Sequence, residues 1–355
     1  MQRNGLFIAS LAALLLVPAT FDAAHAGETP PEVFEDGVKK EANKKKNENN
    51  PGWHVQLDVG ASVSLSGNEK VVGQPDGLSW TIGANIGVAG GYRKDAHDWL
   101  NKLTLQLQFS NVPPLNQFIK SADIFDFSSA YYYRALDWVG PFVRFRLQTQ
   151  MLPGVDTQAS DVLYKVTELD GSVGETTAAT FDITDPFAPL TLKQSLGAFL
   201  RPYWETEAKI EFRVGLAAQE VLADDQITVA KGLENGEVLL SRLASANQVG
   251  AEVGLEVAGA FEKNKILYSI WGDVLLPFYS DGPKAEDKAF DELINVEFGA
   301  KIAFKFVDWA SLSYEFRAVR QPQLLDDWQI SNNLLLTFGY SNKWVEDEPK
   351  KDAKK

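Results

Sequence analysis

Apolar and polar residues alternate with a period of two along most of this chain. Trp53, Val55, Leu57, Val59, Ala61, Val63 and Leu65 alternate with His54, Gln56, Asp58, Gly60, Ser62 and Ser64, the mark of a strand with one apolar and one polar face. Leu78, Trp80, Ile82, Ala84, Ile86 and Val88 repeat it against Ser79, Thr81, Gly83, Asn85 and Gly87. Leu103, Leu105, Leu107 and Phe109 alternate with Lys102, Thr104, Gln106 and Gln108, and Val143, Phe145, Leu147 and Met151 with Arg144, Arg146, Gln148 and Gln150. Late in the chain Ile294, Val296, Phe298, Ala300, Ile302, Phe304 and Phe306 stand against Asn295, Glu297, Gly299, Lys301 and Lys305. The pattern predicts about twelve strands, over 53–65, 78–92, 99–111, 123–134, 139–151, 190–201, 203–216, 248–261, 265–278, 291–306, 309–320 and 328–341. In the 123–134 strand Tyr131-Tyr132-Tyr133 interrupts the alternation.

Most of these strands reach the ~9–11 residues needed to cross a bilayer at a tilt, whereas ordinary globular strands are nearer ~5–6. The connections alternate in length. Arg93 to Asp98, Ala135 to Trp138, Pro202, Glu262 to Asn264 and Val307-Asp308 are short; Leu152 to Leu190 and Ala217 to Asn247 are long. Short periplasmic turns, long external loops and an even strand count belong to single-chain outer-membrane barrels. The fold class expected is all-β, an antiparallel up-and-down transmembrane β-barrel with both termini in the periplasm. A soluble periplasmic β-protein is the competing fold; it would have to bury the outward set (Val143, Phe145, Leu147, Val296, Phe298, Ile302, Phe304) inside.

The ends of the chain fit export. Arg3, the apolar run Leu6 to Val17 and Ala24-His25-Ala26 form the three parts of a secretory signal peptide over 1–26, with cleavage after Ala26. Residues 27–51 read as a charged disordered linker containing Lys44-Lys45-Lys46, 52–342 as the barrel, and 343–355 as a charged tail. No later segment has the ~20 consecutive apolar residues of a spanning helix. Cysteine is absent, so packing and the hydrogen-bond ladder must hold an exported chain together without disulfides. A formal charge of −14 offers no basic excess to displace phosphate counterions, and no nucleic-acid partner is expected.

Tryptophans map onto the expected strand ends. Trp53, Trp99, Trp138, Trp204 and Trp309 fall at the periplasmic ends, Trp80 and Trp328 near the external ends, as an aromatic girdle at two water–lipid boundaries requires. Trp271 has inward parity. The polar face would line the lumen with a basic wall of Arg134, Arg144, Arg146, Lys193 and Arg201, followed by an acidic wall of Glu205, Glu207, Glu211, Glu252 and Glu256, with Lys209 and Arg213 between. Two such walls can set a transverse field across a water-filled pore and govern selectivity. Alternatively they pair across a lumen narrower than that of a 16–18-strand porin and close it. A lipid or ligand site is a further possibility, and the 152–190 loop is long enough to fold inward.

Catalytic constellations are thin. His25 leaves with the signal, His97 falls in a short turn, and His54 lies at the periplasmic end, opposite to where an outer-membrane phospholipase presents its Ser/His pair. Asp224, Asp225 and Asp326 are ordinary loop acids, although an acid-pair, omptin-type protease draws on such residues. No EF-hand loop, P-loop or dinucleotide fingerprint occurs. No enzyme activity, cofactor or metal is expected.

Four segments carry a resemblance. Trp99-Leu100-Asn101 opening one strand, Lys120-Ser121-Ala122-Asp123 opening the next, Thr149-Gln150 closing the one after, and Asp327-Trp328-Gln329-Ile330 leading into Leu334 to Tyr340 resemble a family of uncharacterised Gram-negative outer-membrane β-barrel proteins, a domain of unknown function. The resemblance implies one barrel with no assigned activity and no site residues to carry over. Such barrels commonly finish on an aromatic residue read by the barrel-assembly machinery. Here Tyr340 and Trp344 precede Glu346 to Lys355, so that signal is internal. The function expected is a narrow or gated porin-like channel for small polar solutes, with outer-membrane lipid and the assembly machinery as partners. The alternative is a structural or adhesive barrel, plugged by its own charges, whose external loops bind a partner.

Overall fold

A computed structural model describes residues 52–68, 77–111, 115, 117–205, 207–282, 288–323 and 325–345, and every regular element in it is a β-strand. In chain order these are β1 (Gly52–Asn68), β2 (Gly77–Lys94), β3 (His97–Asn111), β4 (Phe118–Tyr133), β5 (Val139–Thr149), β6 (Gly154–Thr167), β7 (Val173–Thr184) and β8 (Leu190–Trp204). There follow β9 (Lys209–Leu222), β10 (Ile227–Glu234), β11 (Glu237–Arg242), β12 (Ala246–Phe261), β13 (Ile266–Ser280), β14 (Asn295–Val307), β15 (Ala310–Gln321) and β16 (Leu325–Val345). The signal segment 1–26, the linker 27–51 and tail residues 346–355 lie outside the described residues.

Twelve strands close a barrel in the order β1-β2-β3-β4-β5-β8-β9-β12-β13-β14-β15-β16, with β16 antiparallel to β1 along a seam from His54↔Val345 to Val63↔Leu336. All twelve expected strands are found in sequence. Closure pairs every strand on both sides, which is how a sheet satisfies its backbone in a medium without water. The outer surface is apolar around the circumference: Val143, Val214, Ile270, Phe278, Ile330 and Tyr340 are each exposed on it. The outward set that a soluble fold would have to bury faces out.

Both described ends and the β2–β3, β4–β5, β8–β9, β12–β13 and β14–β15 turns share one rim, called here the turn rim. The long connections share the other, the loop rim. Several expectations are corrected in detail. Pro202 is not a turn: β8 continues through it to Trp204, and the pairing with β9 is irregular between Leu200 and Tyr203, a place where a residue without an N–H is tolerated. The turn therefore falls at 205–208. Tyr131 and Tyr133 point outward and Tyr132 inward, so the alternation continues in direction while polarity stays constant. His97 is the first residue of β3 rather than a turn residue, and β16 takes residues 343–345 from the expected tail.

The two longest loops do not fold into the lumen. They combine into a separate four-stranded sheet, β10-β11-β6-β7, in which β11 runs parallel to β6. Its apolar face has its own core of Val162, Tyr164, Val166, Ile183, Ile227, Val238 and Leu240. A polar clasp ties it to the barrel. The Asp123 carboxylate accepts the Met151 and Leu152 backbone N–H groups at 2.9 and 2.7 Å, and Lys120 Nζ donates to the Leu152 carbonyl at 2.8 Å. The Gln150 amide donates to Thr184 and to the Ala188 carbonyl, while Gln226 accepts from the Asp185 N–H at 2.7 Å.

Candidate functional site: the lumen

Strand parity carries the polar residues inward, and a run of ion pairs connects many of the charged ones. Near the turn rim Asp98 receives Arg93 at 2.8 Å, Arg134 at 3.3 Å and Arg201 at 3.9 Å. Arg201 continues to Glu211 at 2.7 Å, which also holds Arg213 at 2.7 Å. Arg213 reaches Glu256 at 3.4 Å and Asp273 at 3.5 Å. Asp273 meets Arg144 at 3.7 Å, and Glu252 then joins Arg144 at 3.0 Å and Lys193 at 2.6 Å. Six bases and five acids thus form one connected network from β2 to β13. A lone buried charge is costly, and mutual pairing is how so many are accommodated.

Two glycines make room for the inward side chains. Gly254 on β12 lies in register between Arg213 of β9 and Asp273 of β13. A Cβ there would stand 2.6 Å from Asp273 Oδ1 and 3.2 Å from the Arg213 guanidinium, so the pair spans β12 over bare backbone. Gly299 lies opposite Trp271, and a Cβ on it would be 2.2 Å from the indole ring. Trp271 is inward, as its parity requires, and only 4% exposed. At the turn end Tyr132, Phe142 and Phe199 are buried together, and the Arg201 guanidinium stacks over the rings of Tyr132, Phe199 and Trp204 at 4.4–4.7 Å. These contacts fill that side of the lumen.

The two expected walls are therefore not two walls. Arg144, Lys193 and Arg201 are in the lumen but interlock with Glu211, Glu252 and Glu256 at contact distance, which cancels the transverse field. Arg146 turns to its neighbour Asp126, bonding through Nε at 3.2 Å. Arg134 sits in the β4–β5 turn, bonding the Asp95 carbonyl and Asp98. Glu205 and Glu207 are in the exposed β8–β9 turn and line nothing, because β8 runs on past Pro202; Lys209 opens β9 with its ammonium over Trp204. Asp98, Asp126 and Asp273 were not anticipated. The first was assigned to a turn and the second to an irregular strand, but Asp273 shares the parity of Trp271, which would have found it.

The opposite side of the lumen is different. Between β1–β4 and β13–β16 lies a cavity of about 270 Å³ that reaches the β14–β15 turn, lined by amides and hydroxyls such as Gln56, Asn85, Gln106, Ser313 and Thr337, by the charged Asp58, Lys301, Lys305, Asp308 and Glu315, and by apolar residues such as Leu267 and Leu335. Six of the seven expected girdle tryptophans stand on the outer surface near the rims, Trp53, Trp99, Trp138 and Trp309 at the turn rim and Trp80 and Trp328 toward the loop rim; Trp204 does not, because the irregularity between Leu200 and Tyr203 turns it inward, beside Lys209 and under Arg201. Trp53 packs on Trp99 and Tyr92, and Trp80 on Phe118.

Residues 72–154 match a family model described as "Protein of unknown function (DUF3078)". Three of the four resembling segments, at Trp99, Lys120 and Thr149, lie inside that stretch. No curated protein matches the chain. Among solved structures, the translocator domain of the autotransporter NalP from Neisseria meningitidis is 10% identical, with 86% of this chain and 91% of that one covered and a TM-score of 0.37. An outer membrane channel from Pseudomonas putida F1 is 10% identical, covering 86% and 100%, with a TM-score of 0.38. The toluene transporter TbuX from Ralstonia pickettii is 10% identical, covering 86% and 92%, with a TM-score of 0.30. The closed sheet and its continuous apolar exterior make this chain a β-barrel of the outer-membrane type.

Proposed function

We propose that the barrel is a narrow porin-like channel for small polar solutes in the outer membrane, with its turn rim and both termini in the periplasm. The supporting observation is the division of the lumen. One side is filled by paired charges and aromatic rings, while the other keeps a cavity of about 270 Å³, with amides, hydroxyls and charged side chains on its wall, that reaches the turn rim. A lumen of this kind passes solutes one at a time along one wall. Single-channel recording of the purified, detergent-folded protein in a planar bilayer tests this reading. Small, uniform current steps are expected; silence across many verified insertions overturns it.

A second reading is favoured by the ion-pair network itself, which runs without a break from Arg93 on β2 to Asp273 on β13. In this reading the barrel is a non-conducting support, and the four-stranded sheet at the loop rim is the working surface that binds a partner. It expects no conductance from the intact chain. It also expects partner capture to vanish when the two loops that form the sheet are replaced by short turns.

A further inference from the structure

We infer that the lumen cavity is a binding site for neutral, hydroxyl-rich solutes of about monosaccharide size, and that it discriminates against ions of similar shape. The inference rests on the channel reading above and names the solute class of the same path. Its basis is the chemistry of the lining. The side chains that β1, β2, β3, β15 and β16 send into the cavity are mostly amides and hydroxyls, such as Gln56, Asn85, Gln106, Ser311 and Thr337. Each of these groups both donates and accepts hydrogen bonds. A sugar hydroxyl is the matching group, because it too does both, so each bond to water lost on entry is replaced by one to the wall.

The charges that reach the cavity are already engaged or stand at its end. Lys301 is held by Glu315 at 3.4 Å. The Asp58 carboxylate accepts from the Gln56 amide at 2.6 Å and from the Ser341 hydroxyl. Lys305 and Asp308, of opposite sign, lie at the turn end. An ion that passes Lys305 and Asp308 loses hydration along a wall whose other charges, Asp58, Lys301 and Glu315, already hold partners. The volume is just below the ~300–1,000 Å³ of sites for drug-sized molecules, which selects a single sugar ring over longer oligomers.

The test uses the processed chain purified from the expressing cell's membrane and reconstituted into liposomes. Osmotic swelling is followed in methyl glucoside, sodium gluconate and glucosamine hydrochloride, and binding of methyl glucoside to the same protein in detergent is read by saturation-transfer NMR. Swelling in methyl glucoside about tenfold faster than in either ion is expected, since ions pay for desolvation. In Gln106→Leu/Ser313→Val the sugar rate should fall about 5–30-fold for two lost hydrogen bonds, with the heat-modifiable electrophoretic shift of a folded barrel retained. Equal rates for all three solutes overturn the solute class and leave the channel standing. Methyl glucoside binding without swelling overturns the channel and leaves the site standing. Neither binding nor swelling overturns both.

Discussion

At the scale of single residues the lumen is built from large or charged side chains seated on glycines. Gly299→Val should collide with Trp271, whose ring lies 2.2 Å from the new Cβ; overpacking of this kind costs about 1–3 kcal/mol. The expected outcome is a lower temperature for the heat-modifiable transition, largely restored in the Gly299→Val/Trp271→Ala double variant. A deficit that simply adds in the double would show that the two residues are independent. Which way each of these side chains points was legible in the sequence. Trp271, Arg144, Arg146, Glu252 and Glu256 all lie on the face that the period of two assigns them. What they touch was not legible, because parity fixes direction and says nothing of partners three or four strands away around a barrel.

At the scale of elements, the strands of the barrel follow from their own alternation, and their ends follow from local exceptions to it. Pro202 reads as a turn but is absorbed at a strand irregularity. That shift moved Glu205 and Glu207 out of the lumen. The loop sheet was missed although it carries a strong local signal. Asn235-Gly236, with φ of 52° and 85°, joins β10 to β11 through the two-residue turn that Asn-Gly favours. Val162, Tyr164 and Val166 also recur with a period of two, with Asp161, Lys165 and Thr167 on the other face.

The sheet gives two predictions. Asp123→Ala leaves the Met151 and Leu152 N–H groups without an acceptor, a loss of about 1–3 kcal/mol for buried donors. It should expose the 152–190 segment to limited proteolysis while the barrel fragment stays intact. The second concerns acid. Glu168 accepts two bonds from Arg242, and that partner holds its carboxyl below the ordinary value. A depressed folded pKa means the contribution is complete above the ordinary carboxylate value of ~4.3 and is lost as pH falls through the lower folded value. Protease protection of the sheet should therefore decline in that acid window in the native chain. In Glu168→Gln it should depend less on pH there.

At the scale of the whole molecule, the lumen divides into a side closed by a connected ion-pair network and a side that keeps an open cavity. If the network is the constriction, removing one cross-lumen link should widen the path. Arg144→Ala/Glu252→Ala deletes a pair whose partners stand on β5 and β12, 3.0 Å apart at the contact. Its single-channel conductance should exceed that of the native chain, with the anion/cation ratio moving as Lys193 loses its acid. An unchanged conductance would place the constriction elsewhere, at the loop rim or at the Tyr132, Phe142 and Phe199 cluster.

The sequence by itself determined the strands, their inward and outward faces, the sorting of short turns from long loops, and hence a closed sheet with an apolar exterior. These are properties of period and local length, which a chain carries wherever it folds. Only the tertiary structure decided that the basic and acidic faces interlock, that Gly254 lets Arg213 reach Asp273, and that two distant loops share one sheet with a parallel pair. Each of these depends on which strands meet across the lumen or beyond its rim. Such meetings are fixed by the closure and stagger of the barrel, quantities that no single strand encodes.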